Sequence, residues 1–378
     1  MPTSTAAQAQ APVQQAPFRA GTQPTLSSDG YSNSTALTTS QTLLPNYQPS
    51  PNNEIRGIYI QSVATGSNGG SSNVSFTSND YPFAVYQNVT FSDANQKPII
   101  GPINGYQLML IGKFGGYQAS NDPRASAIYS TTTSTGSSAG SWTFVLYVPV
   151  EVNQRGFGAL QNQSSDSTFN LTLTLDTTAH VFTTAPSSSC TVVTTIYSSG
   201  WWKGNVAGAS QTPPAAGSTQ YWVLGSYSSQ NSAVQIQLSQ GLGYPIRSFQ
   251  FINYDASNST RATGDTDFPT TTSLIFKGTQ YFNISKTLWQ DQMSRNYGLT
   301  ATGKDAANGL ENGVYVLGWY MQDINHGPGN ELALGYLSTN QGDNHQMSAT
   351  FNGNSNLYFL CNYVATVGSY SATVQGRV

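Results

Sequence analysis

The sequence predicts an all-β protein of two consecutive domains, and three observations carry that prediction. Apolar and polar residues alternate with period two in run after run, the signature of half-buried strands. A Gly-, Ala- and Pro-rich stretch interrupts those runs near the middle of the chain. The 378 residues include only 14 basic and 17 acidic ones, 8% charged against about 25% in an ordinary soluble domain. Ser, Thr, Asn, Gln, Gly and Tyr supply the polar surface instead. That composition suits a large β-protein whose outer faces meet other polypeptides or plain water. With 38% hydrophobic and 12% aromatic residues the chain can build a core and is not a disordered one. Strand-like runs recur too often for one compact sandwich, so two domains of roughly 160 residues each are expected.

Residues 1–52 read as a low-complexity N-terminal arm, with Pro2, Pro12, Pro17, Pro24, Pro45, Pro49 and Pro51 spaced through Ala, Gln, Ser and Thr. Prolines oppose both helix and sheet ladder, and too few apolar residues occur there for a core. The first domain is expected over 53–208. Ile58 and Ile60 alternate in RGIYIQSV, Leu108 and Leu110 oppose Met109 and Ile111, and Phe144, Leu146 and Val148 alternate in SWTFVLYVPV. In STFNLTLTLD, Phe169, Leu171, Leu173 and Leu175 face one way while Thr172 and Thr174 face the other. Such a strand packs one face on a second sheet and wets the other.

KGNVAGASQTPPAAGST carries the Pro213–Pro214 pair and marks a linker, placed at 209–219. The second domain, 220–378, resumes with YWVLGSY, then VQIQL with Val234, Ile236 and Leu238 alternating, IRSFQFINY, SLIFKG, GVYVLGWYM, ELALGYL and NLYFLCNYV. One segment departs from period two. SKTLWQDQMSRNYG places Trp289, Met293 and Tyr297 four residues apart with Leu288 beside them, Ser285 as N-cap and Gly298 just past the C-terminus. It predicts one short amphipathic helix inserted between strands, its stripe of Leu288, Trp289, Met293 and Tyr297 buried.

Charge and motifs narrow the function. The net charge is −3 with no basic or acidic run, so nothing marks a surface for phosphates or anionic lipid, and direct nucleic-acid binding is not expected. The two cysteines, Cys190 and Cys361, exclude a disulfide framework; Cys361 lies on one strand face with Leu357, Phe359 and Tyr363, as a small core hydrophobe. MPTSTAAQAQAPVQQ lacks the positive and apolar regions of a secretory signal, and no apolar run nears the ~20 residues of a membrane span.

No HExxH, CxxC, GxSxG, Walker or dinucleotide motif occurs. The nearest thing to a metal site is Asp323, His326 and Glu331 with Asp343 and His345, if two loops converge; the bland reading is two surface turns. Asp265 and Asp267 in GDTDF could offer oxygen ligands to calcium, or sit in a turn. Glycosylation sequons at Asn33, Asn73, Asn88, Asn162, Asn170, Asn258 and Asn283 are expected by chance in so Asn-, Ser- and Thr-rich a chain. Trp201, Trp202, Tyr221 and Trp222 could form a sugar platform, but their position between domains favours interdomain packing. Glycosidase chemistry needs two carboxylates at a defined separation, and no pair stands out.

The order of blocks carries a resemblance. A strand ending Tyr147-Val148-Pro149, then NQRGFGALQN, then STFNLTLTLD resembles the end of the first jelly roll of tectivirus-type major capsid proteins. CTVVTTIYSSGW, a linker, and YWVLGSY leading to VQIQLSQGLGYPIRSFQFINYD resembles their passage into the second. The helix at Leu288 and Trp289, GVYVLGWYMQD and NLYFLCNYVAT resemble their C-terminal third. The resemblance covers roughly 54–378 and is one of pattern, with no invariant signature. It implies a double jelly roll: two eight-stranded jelly rolls in succession, with a short helical insertion in the second. It further implies pseudo-hexagonal homotrimers tiling an icosahedral shell over an internal membrane and double-stranded DNA, made in the host cytoplasm. Partners would be further copies of the chain and minor capsid, vertex or membrane proteins, the membrane only indirectly. No catalytic, cofactor or metal residue is implied. Family members carry a helical segment at the N-terminus, whereas this arm is broken by prolines. The rival readings are a carbohydrate-binding adhesin and, more distantly, a glycoside hydrolase.

Overall fold

The computed structural model describes residues 21–366 except 52, 71, 116, 118–121, 154–155, 163–167, 204–216, 256–260, 262–263, 323–334 and 352. The first half runs β1 (Thr22–Ser27), β2 (Ser32–Ala36), β3 (Thr42–Leu43), β4 (Asn53–Thr65), β5 (Ser75–Phe76), β6 (Tyr86–Ser92), β7 (Pro98–Ile103) and helix α1 (Gly105–Gly115). It continues through β8 (Ser130–Thr132), β9 (Ser141–Pro149), β10 (Leu160–Asn162), β11 (Asn170–Leu175), α2 (Thr178–Val181), β12 (Phe182–Thr184) and β13 (Thr191–Lys203). The second half holds β14 (Ser218–Gln230), β15 (Ala233–Gln237), β16 (Ile246–Asp255), α3 (Gly264–Asp267), β17 (Thr271–Phe276), β18 (Thr279–Ser285) and α4 (Lys286–Tyr297). Strands β19 (Val314–Gly318), β20 (His345–Thr350) and β21 (Ser355–Thr366) complete it.

Alternation decides the faces. In β11, Leu171, Leu173 and Leu175 are buried while Thr172 and Thr174 are half-buried, and β4 and β9 bury Ile58, Ile60, Phe144, Leu146 and Val148 in the same way. In the first half, one sheet ordered β1-β13-β4-β9-β8, with β2 also on β13 and β10 on β4, packs on β7-β6-β11-β3. Rings and hydroxyls meet between these layers: Tyr86 is edge-on to Phe144, and its hydroxyl lies 2.8 Å from Thr194 Oγ1. In the second half, β19-β16-β21-β14 packs on β15-β20-β17-β18, with the Phe249 ring 5.3 Å from that of His345. The two halves share one sheet. Strand β14 runs parallel to β7, so an eight-stranded sheet continues from β3 to β19 across the whole chain, and one apolar core cluster spans both halves.

Helix α4 forms where the spacing predicts it. Ser285 Oγ accepts from the Leu288 N–H at 3.3 Å, Gly298 takes the left-handed conformation at φ 61°, and Trp289, Met293 and Tyr297 are buried. Leu288 is a correction: it is 51% exposed, because one residue before Trp289 the helix has turned away from the buried stripe.

Three further expectations are corrected. Residues 108–111 are not a strand but the middle of α1, every residue of which is buried. A helix buried on all sides has no one-faced apolar period to read. Its start was legible nonetheless: Asn104 and Gln107 form a reciprocal cap, Asn104 Oδ1 accepting from Gln107 N at 2.8 Å and Gln107 Oε1 from Asn104 N at 2.9 Å. The described part of the 1–52 arm is built into the first sandwich. Strands β1 and β2 pair with β13, β3 pairs with β11, and Leu37, Leu44 and Tyr47 enter the core. Pro24 lies in an edge strand, β1, which has one partner only, the place in a sheet where proline is tolerated. Residues 1–20 lie outside the described residues. Finally, Ser218 and Thr219, assigned to the linker, already pair with β21.

Candidate functional site at the junction of the two halves

Among the described residues, those singled out for chemistry do not converge. Asp323, His326, Glu331 and the sequon Asn258 lie outside the described residues. Asp343 ties down a turn through the Asn340 N–H at 2.6 Å and meets Lys277 at 3.2 Å. His345 is buried among Phe249, Phe276 and Tyr281, its Nε2 2.7 Å from the Tyr281 hydroxyl, and burial lowers its pKa to about 4, so the ring is neutral. Asp265 accepts from the Tyr315 hydroxyl at 2.7 Å and pairs with Lys304, joining α3 to β19 and the 299–313 loop. Among the described residues no group of three or more His, Cys, Asp or Glu is placed to hold a metal ion. Both cysteines are free and buried, and burial pushes the Cys190 thiol up to about 12. Asn162 and Asn170 are buried and therefore closed to glycosylation in the folded chain, and Asn162 Nδ2 donates to the Pro49 and Ser50 carbonyls.

The aromatic group divides. Trp201, Tyr221 and Trp222 are buried and only Trp202 is exposed, at 48%, so the four do not make a platform. Trp201 packs under the Arg56 guanidinium, 4.3 Å from the ring, and donates to Glu151 Oε2 at 2.9 Å. Burial raises the Glu151 carboxyl, while Arg56 at 2.9 Å opposes the rise. Trp222 Nε1 donates to Gln220 Oε1 at 3.0 Å, and Gln220 Nε2 reaches the Glu151 carbonyl at 2.8 Å. The same Gln220 oxygen takes the Tyr117 hydroxyl at 2.6 Å and Asn362 Nδ2 at 3.1 Å. Of these contacts, those of Gln220 with Glu151 and with Tyr117 cross from the first half to the second.

A second crossing is ionic, and sequence reasoning missed it. Asp80, Lys113, Asp122 and Arg124 come from the first half, Arg261, Asp305 and Glu311 from the second, so seven of the chain's 31 charged residues meet in one place. Lys113 Nζ lies 2.6 Å from Glu311 Oε1 and 3.0 Å from Asp122 Oδ2. Arg124 bridges Asp122, at 2.8 Å, to Glu311. Arg261 reaches Asp80 at 2.6 Å and Asp305 at 3.2 Å, with its guanidinium 4.1 Å over the Tyr106 ring. The Tyr106 hydroxyl donates to Glu311 Oε2 at 2.8 Å, and that of Tyr254 to Asp80 Oδ2 at 3.0 Å. Burial alone would raise the Asp305 carboxyl; Arg261 and the Asn312 N–H hold it below the usual range. Burial likewise opposes charge on Arg124, but Asp122 and Glu311 raise its pKa and keep it cationic. The one available signal was scarcity. In so uncharged a chain each acid and base is a candidate for a specific partner, but the pairing joins positions about 180–230 residues apart.

Two clefts flank this cluster, of about 750 and 730 Å³, and both reach Asp80 and Tyr81. On the rim of the first, His180 Nδ1 lies 2.7 Å from Asp176 Oδ1. The arrangement is a set of matched charges and amides that hold surfaces together. No helix of the described residues is long and apolar enough to cross a membrane.

No family model and no curated protein matches the sequence. Solved structures match in fold. The crystal structure of the STIV major capsid protein is similar over 91% of this chain and 100% of its own, at TM-score 0.54 and 12% identity. The protein in the atomic structure of Sulfolobus Turreted Icosahedral Virus matches over 92% and 95%, at TM-score 0.56 and 13% identity. The PBCV-1 virus capsid matches over 91% and 94%, at TM-score 0.55 and 11% identity. At such identities the likeness shows the fold: the chain is an all-β double jelly roll of the kind seen in viral major capsid proteins.

Proposed function

We propose that this double jelly roll is a viral major capsid protein, a structural building block with no catalytic role, located in the virion shell. The observation that carries the reading is end-to-end correspondence: the matched capsid proteins are covered over 94–100% of their length by 91–92% of this chain. The first jelly roll extends from β1 to β13 and the second from β14 to β21, which enlarges the first by the strands of the arm.

Two similar lobes fused through one sheet give three copies six lobes around an axis, the geometry of a pseudo-hexagonal trimer. We infer that such trimers tile an icosahedral shell over an internal membrane and double-stranded DNA, and that the chain is made in the host cytoplasm. Its partners are neighbouring copies and minor capsid, vertex or membrane proteins, with no sequence-specific contact to nucleic acid. A surface poor in charge supports self-association, since little charge must be desolvated at a contact. Light scattering on the soluble protein tests the reading: the expected mass is about three times 40.4 kDa at micromolar concentration. A monomer at every concentration contradicts it.

A further inference from the structure

The ionic cluster at the junction is arranged as an exchange. The first half's Asp80 holds the second half's Arg261, and the second half's Glu311 holds the first half's Lys113 and Arg124. Backbone carbonyls join in: Lys113 Nζ donates to Gly309 O at 2.6 Å, and Arg124 Nη1 to Asp305 O at 2.6 Å. Glu311 is 2% exposed, Lys113 1% and Arg261 2%, so none of these charges can fall back on water while the halves stay packed. Lys113 and Tyr106 sit seven residues apart on α1, on one helix face, and both address the two oxygens of Glu311.

We propose that Glu311 and Asp80 are the two keys of an interdomain lock, which fixes the mutual orientation of the jelly rolls and makes them unfold as one unit. The physical argument is an asymmetry. Buried ion pairs contribute little net stability when intact, because desolvation cancels most of the attraction. Removing one partner is costly, because the other is left buried and unpaired. A rotation or separation of the halves is such a removal at both keys at once. Apolar packing alone tolerates small slips; a carboxylate bonded to Lys113, Arg124 and Tyr106 does not. The lock therefore supplies orientation more than adhesion. It is a property of the single chain and stands or falls independently of the capsid reading, so a monomer would sink that reading and leave this one intact.

The test is differential scanning calorimetry of the full chain, dilute, as wild type, Glu311→Gln, Asp80→Asn and the double variant, with Asp291→Asn as control. Asp291 makes an exposed pair with Arg295 inside α4, away from the junction. The wild type and the control are expected to unfold in one coincident transition. The two junction variants are expected to split it, the earlier step at least about 5 °C lower, and the double variant to split it further. Single, unshifted transitions in Glu311→Gln and Asp80→Asn overturn the proposal. Should those variants not fold, hydrogen exchange on the wild type reads the same point. Amides of α1, between the halves, are expected to exchange as slowly as those of β13 and β21. Exchange of α1 a hundredfold faster than of those strands overturns it.

Discussion

Trp222 of β14 stands opposite Ile100 of β7 in parallel register, and this pairing makes one eight-stranded sheet from the strands of two jelly rolls. It is the only parallel strand pairing among the described residues. Trp222 is buried, and its Nε1 donates to Gln220, the amide that also gathers Tyr117 and Asn362. The expected cost of Trp222→Ala is about 3–5 kcal/mol, the range for truncating a buried large aromatic. Denaturant unfolding of the soluble protein measures it, and a change below about 1 kcal/mol would contradict the role given to this seam.

Neighbouring residues of α4 give opposite expectations. Trp289 is buried, donates to the Val316 carbonyl at 2.9 Å and touches the rings of Phe251, Phe268 and Tyr315. Trp289→Ala is expected to cost about 3–5 kcal/mol, whereas exposed Leu288→Ser changes stability by no more than about 0.5 kcal/mol. Paired thermal melts check this, and equal losses would contradict the burial of Trp289 and the exposure of Leu288.

These elements show how much of the fold was legible. Strands with one wet face, such as β11 with its Leu and Thr alternation, can be read directly, because burial on a single face imposes period two. Helix α4 was legible for the matching reason: its stripe, Ser285 and Gly298 each mark a boundary. Helix α1 hid because burial on every side erases the period. The strands of the arm hid because β1 and β2, on TQPTLS and SNSTA, owe their order to the ladder of β13 and not to their own apolar residues. Trp222 lies at the seam opposite Ile100, as its place in the chain suggested, but Trp201 packs within the first half against Arg56, Glu151 and Ala159, while the pairing of Glu311 with Lys113 and Arg124 is set by tertiary approach alone and leaves no local trace.

Deleting residues 1–36 is expected to destabilise the first jelly roll, because it removes β1 and β2 and uncovers the edge of β13. A bare edge of thirteen residues is also a template for association. The melting temperature should fall, and aggregation on heating should rise. An unchanged melt would return β1 and β2 to the status of a loosely held arm.

His345 sets a pH window. Its pKa falls from 6.5 to about 4 on burial, so the folded chain binds fewer protons than the unfolded one between those values. The stability tied to its neutral ring is complete above about pH 6.5 and is lost as pH falls towards 4, about 3 kcal/mol at most. In His345→Phe that part of the acid loss should disappear. Parallel stability profiles of parent and variant from pH 7 to 4 would contradict the assignment.

The central claim is that the chain builds a shell, and electron microscopy of the purified full-length protein tests it most directly. The account predicts pseudo-hexagonal particles of three chains, six lobes each, that pack edge to edge into flat tiles or closed shells. Isolated two-lobed monomers, with no trimer or tile at any concentration, would contradict it.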